Sequence, residues 1–134
     1  MNWYDAQRLM ATARDKSKGK PIANNTRLWE NNNGKSYYIT LHGNVIVKIF
    51  QEGNEYFHAG WRTVTTKERL NRYMHRHHII QMDWVWYVRD LHVDVGEDWH
   101  KNLPEFDNGM FISNDNVMYR DKIDYMLRPL DVVA

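Results

Sequence analysis

The stretch Asn25-Thr-Arg-Leu-Trp-Glu-Asn-Asn-Asn-Gly-Lys-Ser-Tyr-Tyr-Ile-Thr-Leu-His-Gly-Asn-Val-Ile-Val-Lys-Ile-Phe-Gln-Glu-Gly-Asn-Glu-Tyr-Phe-His-Ala-Gly-Trp61 decides the fold. Apolar residues alternate with polar ones along it, the period of a strand covered on one face. Three interruptions are rich in Asn and Gly, residues that tolerate positive φ: 31–34, Gly43-Asn44 and 51–54. The pattern predicts four antiparallel strands at 26–30, 35–42, 45–50 and 55–61, a β-meander, with Gly43-Asn44 as a tight hairpin.

Working outward, Thr65 and Glu68 stand at capping-box spacing, and Leu70, Tyr73 and Met74 form an apolar stripe, so a helix is expected from 65 to about 77. Residues 79–88 alternate as one long strand, with Ile80, Met82, Trp84, Trp86 and Val88 on one face. Upstream, Asn2 can cap a helix over 2–15, which Gly19-Lys20-Pro21 ends. Downstream the periodicity weakens. A strand at 91–95, a long loop at 96–109, a hairpin of 110–113 with 117–119 and a last helical turn from Asp121 are expected. The whole is an α+β single domain over 1–134: the meander and the long strand in one antiparallel sheet, with the N-terminal and central helices packed on it.

Composition narrows the function. Hydrophobic residues make up 43% and charged residues 26%, globular values that exclude disorder as the default. Cysteine is absent, which removes disulfides, thiolate metal sites and Cys nucleophiles. No apolar run reaches the ~20 residues of a membrane span, and the first residues carry Asp5 and Arg8, unlike a secretory leader; a soluble protein is expected. The net charge of +1 hides an asymmetry: residues 1–88 hold 13 Lys and Arg against 7 Asp and Glu, while 89–134 hold 5 against 10. A basic front calls for an anionic partner or for an internal match with the acidic back. Six Trp and eight Tyr exceed what a core of this size requires, so some are expected at a partner surface.

The densest polar cluster is Gly60-Trp61-Arg62-Thr63-Val64-Thr65-Thr66-Lys67-Glu68-Arg69-Leu70-Asn71. It sets hydroxyls and cations where a strand gives way to a helix, whose first amides lack intrahelical acceptors. Such a corner binds anions. The plainer reading is that Thr65 only caps the helix while Lys67 and Arg69 are solvated.

The blocks Asn25-Thr26-Arg27, Leu41-His42-Gly43-Asn44 with Ile46, and 60–71 together resemble a pattern found in small proteins of tailed bacteriophages. The resemblance covers about residues 25–72 and implies a viral origin and a host bacterial cytoplasm; no activity attaches to it. The candidate ligand residues are then Trp61, Arg62, Thr63, Thr65, Thr66, Lys67, Arg69 and Asn71, joined by Arg27 and His42 from the upstream blocks.

Catalytic motifs are weak. Gly34-Lys35-Ser36 lacks the earlier glycine of a nucleotide loop, since Trp29 stands there, and a strand follows it. Ser17, Ser36 and Ser113 have no elbow glycines or local base. His75, His77 and His78 crowd the expected helix end, where His75 and His78 share a face. His92, Asp94, Asp98 and His100 are metal-ligand types within nine residues, without a recognised motif.

Three readings follow. The first is a phage accessory protein for host takeover or anti-defence that binds a nucleotide-like or other compact anionic ligand, or a host protein, without catalysis and with no cofactor. Nucleic acid is a further partner class, duplex DNA being disfavoured by the acidic tail. The second is a metal-dependent phosphoesterase built on His92, Asp94, Asp98 and His100. The third is a homo-oligomer in which acidic tails pack on basic halves.

Overall fold

The computed structural model describes residues 1–93 and 102–129. Asn2 caps helix α1 (Trp3–Ala11): its side chain accepts from the Asp5 amide at 2.8 Å while the Asp5 carboxylate accepts from the Asn2 amide at 3.2 Å. Ala6 and Met10 are its buried residues. The helix is shorter than the expected 2–15 because the chain breaks at Thr12, whose hydroxyl donates back to the Leu9 carbonyl. The Lys-rich run becomes a 3-10 turn at Lys16–Lys18 and leads into β1 (Lys20–Ala23), a strand the periodicity did not reveal. Pro21 sits comfortably there because β1 is an edge strand.

The meander forms as expected in β2 (Thr26–Asn31), β3 (Ser36–Leu41) and β4 (Asn44–Phe50). The fourth strand, β5 (Gly53–Tyr56), starts and stops earlier than the expected 55–61, and β8 (Met110–Ser113) pairs along its outer side. With β9 (Met118–Tyr119) these strands make a seven-stranded antiparallel sheet in the order β1-β2-β3-β4-β5-β8-β9. The hairpin across 114–116 is as expected. Helix α3 (Lys122–Met126), capped by Asp121, lays Tyr125 against Phe111 and Tyr119.

Residues 79–88 are not one strand. They fold into a hairpin, β6 (His77–Met82) and β7 (Val85–Asp90), a separate two-stranded sheet. Asp83 and Trp84 both adopt left-handed φ, +50° and +66°, the geometry of a two-residue hairpin turn. The apolar alternation runs through this turn unbroken, so the sequence hides it. The turn inverts the parity of the faces: Ile79 pairs with Val88 and Gln81 with Trp86, which puts Ile79, Trp86 and Val88 in the core while Trp84 is 88% exposed. The expected strand at 91–95 is also absent where it is described, since Leu91 and His92 form a turn. Residues 94–101, much of the expected 96–109 loop, lie outside the described residues.

Both edges of the hairpin are covered. Asn71 of α2 (Val64–Tyr73) acts as a surrogate strand on β6: its amide donates to the Ile79 carbonyl at 3.0 Å and its oxygen accepts from the Ile79 amide at 2.6 Å. On β7, the Val88 amide donates to the Pro104 carbonyl and the Phe106 amide to the Trp86 carbonyl. The core lies between the hairpin, α1, α2 and the sheet face that carries Leu28, Ile39, Val47 and Ile49.

Helix α2 begins two residues earlier than expected. Thr63, not Thr65, is its cap, accepting from the Thr66 amide at 3.1 Å. It ends at Tyr73, because Met74 turns extended (ψ 138°) to start the approach to β6. His75 and His78 therefore share no helical face, and His77 is a buried strand residue.

Candidate ligand pocket

Two tight turns bracket one cavity. The first is Leu41-His42-Gly43-Asn44, with His42 at φ +50° and Gly43 at +81°. The second is His58-Ala59-Gly60-Trp61, with Ala59 at +54° and Gly60 at +79°, closed by a 2.8 Å bond from the Trp61 amide to the His58 carbonyl. A Cβ on Gly43 or Gly60 would meet nothing within 4 Å, so these glycines serve backbone conformation and not space. Between the turns and the amino end of α2 lies a half-open cavity of about 460 Å³. Leu41 and Ile46 are its buried apolar residues; His42, Asn44, His58, Ala59, Trp61, Thr63, Thr65 and Thr66 complete the lining. The Trp61 indole is 61% exposed.

The imidazole of His58 is oriented by a backbone bond. Its Nδ1 accepts from the Gly60 amide at 2.9 Å, so in the neutral ring the proton sits on Nε2. Burial holds its pKa below the ordinary value, and the nearby Arg62 guanidinium adds to that; a backbone hydrogen bond partly opposes both. The pocket thus offers a neutral imidazole donor, an indole, hydroxyls and, at Thr65, an amide with no intrahelical acceptor in the first turn. Most of the wall is apolar, so it suits a flat ring better than a highly charged group.

The candidate residues divide. Trp61, His42, Thr63, Thr65 and Thr66 meet in this cavity, and Arg62 lies exposed beside it. Thr66 is buried, and its hydroxyl hydrogen-bonds that of Thr63 at 3.0 Å. The other four serve elsewhere. Lys67 borders a shallow groove with Asn71, Arg72 and His78 on the flank of α2. Arg69 donates to the Thr26 hydroxyl at 3.1 Å and to the Asn24 carbonyl, and pairs with Glu68. Asn71 clamps β6, and Arg27 donates to the Lys18 carbonyl at 2.9 Å. The residues that sequence reasoning missed are His58 and Asn44. A repeated signal points to them: each flanks a short turn whose second left-handed residue is glycine, as in His42-Gly43 and Ala59-Gly60.

The three blocks singled out in the sequence contact one another, although only the second and third supply residues to the cavity wall. The His42 amide donates to the Asn25 carbonyl at 2.8 Å, Thr26 pairs with Leu41 across β2 and β3, and Arg69 reaches Thr26. Of the metal alternative, Asp94, Asp98 and His100 lie outside the described residues; His92 is exposed and its amide donates to Asp90. Among the described residues no group of three or more metal-ligand side chains gathers, and no helix is long and apolar enough to cross a membrane.

Comparison with known proteins gives one result. No curated protein and no solved structure matches the chain. A family model, described as Kyanoviridae Gp96 protein, matches residues 3–113, extending well to either side of the 25–72 pattern and taking in both turns of the cavity, α1 and α2. The chain belongs to the Kyanoviridae Gp96 family of phage proteins.

Proposed function

We propose that this phage protein acts by binding and not by catalysis, as a host-takeover or anti-defence factor in the host bacterial cytoplasm, and that the Trp61 cavity holds its ligand. The ligand is compact and nucleotide-like: one flat ring with one anionic group, such as a nucleoside monophosphate. The observation that carries this reading is an indole left 61% exposed at an otherwise apolar cavity that also borders the first turn of α2. An aromatic ring stacked on Trp61 removes that surface from water, while the free amide of Thr65 at the start of α2, with the exposed Arg62 nearby in the chain, favours a single phosphate. A triphosphate fits less well, because Lys67, Arg69 and Arg27 are turned away or engaged. The phosphoesterase reading rests on four residues, three of them outside the described ones.

Calorimetry of the full chain with AMP, adenosine and ATP at low salt tests the proposal. AMP is expected to bind more tightly than adenosine, whose phosphate is missing, and no more weakly than ATP. Trp61→Ala is expected to weaken AMP binding at least about fivefold, the worth of one base stack at ~1–3 kcal/mol. Absence of binding by all three up to millimolar concentration overturns it.

A further inference from the structure

A second cavity, of about 360 Å³, opens at the carboxyl end of α2, away from the Trp61 site. The first turn of α1, the β4–β5 turn, β5, the α2–β6 connection and the β8–β9 turn enclose it. Its character differs from that of the first cavity. Five carboxamides line it: Asn2, Gln51, Asn54, Asn114 and Asn116. Its charged side chains among the described residues are already paired, Asp5 with Arg8 at 2.5 Å and Arg76 with Asp90 at 2.7 Å.

Three of the lining side chains are more than nine-tenths buried and incompletely bonded, one of them Tyr73, whose buried hydroxyl has no hydrogen-bond partner among the described residues. His77 is 3% exposed, yet its ring makes no hydrogen bond among the described residues; the nearest carboxylate oxygen, on Asp90, stands 4.0 Å from Nε2. Asn54 is 9% exposed; its nitrogen donates to the Met1 carbonyl and the Tyr56 hydroxyl, while its oxygen accepts from no described group. Tyr56, also in the wall, keeps its proton because burial pushes its pKa up to about 12. Buried polar groups normally have partners, so these atoms ask for one in the cavity.

The chemistry of that partner follows from what the wall lacks. A cation would find no unpaired carboxylate among the described residues. The Met1 ammonium in the wall donates to the Tyr73 carbonyl at 2.7 Å, and burial lowers its pKa and so disfavours the charge an anion would need. An apolar ligand would leave His77 and Asn54 unsatisfied. Carboxamides, imidazole and phenol each supply donors and acceptors, and Trp3 and Tyr4, edge to face at 5.2 Å, add an aromatic border. A ring that carries several hydroxyls and an apolar C–H face matches both. We propose that this cavity is a binding site for a neutral pyranose sugar, with His77 and Asn54 bonding its hydroxyls from within and the carboxamides of Gln51 and Asn116 holding its outer edge.

The test is saturation-transfer NMR on the full chain with glucose, galactose and N-acetylglucosamine, and with glucose 6-phosphate and adenosine as comparison ligands. At least one sugar is expected to receive saturation. A Gln51→Ala/Asn116→Ala double variant, whose substitutions lie outside the core, is expected to weaken that signal at least fivefold, while Trp61→Ala leaves it unchanged. No transfer to any of the three sugars, transfer that survives the double variant, or tighter binding of glucose 6-phosphate or adenosine than of every sugar overturns the proposal.

Discussion

Asn71 and Trp61 stand ten residues apart in the chain and have opposite relations to solvent. The Asn71 carboxamide copies a strand's donor and acceptor along β6, so Asn71→Ala strips partners from both polar groups of Ile79. The expected loss is about 2 kcal/mol, from two orphaned backbone groups in a half-buried setting, read as a lower midpoint in urea denaturation. Trp61 is mostly in solvent, so Trp61→Ala is expected to change stability by less than about 0.5 kcal/mol while it affects ligand binding. Sequence reading placed both residues in one binding cluster because they share a dense polar string. Side-chain direction separates them: Asn71 faces β6, whereas Trp61 faces the turn at His42.

At the scale of elements, the two misread boundaries make direct predictions. Thr63 caps α2 and Thr65 lies within the first turn, so Thr63→Ala is expected to cost about 1 kcal/mol and Thr65→Ala much less, both measured by thermal or chemical denaturation. A larger loss in Thr65→Ala than in Thr63→Ala would mean that the helix starts where the capping-box spacing placed it. The β6–β7 turn holds Asp83 and Trp84 at positive φ, which Asp tolerates and the bulky Trp does not favour. Replacing the pair by Asn-Gly is expected to raise stability by about 0.5–1 kcal/mol, seen as a higher melting temperature; a lower one would show that Trp84 packs on something despite its exposure. The turn was invisible in the sequence because Asp-Trp is not a turn dipeptide by composition and the apolar alternation continues across it.

Across the whole molecule, charge and burial are linked. The basic front and acidic back of the chain meet in the ion pair of Arg76 with Asp90, so part of the asymmetry is matched internally. Burial holds both His77 and His58 below their ordinary pKa of 6.5; Asp90 partly offsets this at His77, and Arg62 reinforces it at His58. The unfolded chain therefore binds more protons than the folded one below about pH 6.5. The contribution of the two rings is expected to be full above that value and to fall as the pH drops from 7 to 5, with a lower melting temperature at pH 5 and a flatter profile in His77→Gln. Asp90, held below its ordinary range chiefly by its bond from Arg76, adds a further loss only at more acidic pH. A melting temperature that is constant or rises from pH 7 to 5 would contradict the burial of both rings.

The sequence by itself determined the α+β class, the meander with its turns, the Asn2 cap and the hairpin after residue 109. Period, turn chemistry and capping are local properties, written in neighbouring residues. It also singled out three blocks, two of which, 41–46 and 60–71, supply residues to the wall of the Trp61 cavity. Only the tertiary structure decided which members of those blocks line that cavity, that 79–88 doubles back, and that β8 joins β5. The strand pairing of residues some sixty positions apart, and the direction of each side chain at a helix start, depend on which surfaces bury each other, and no local pattern carries that information.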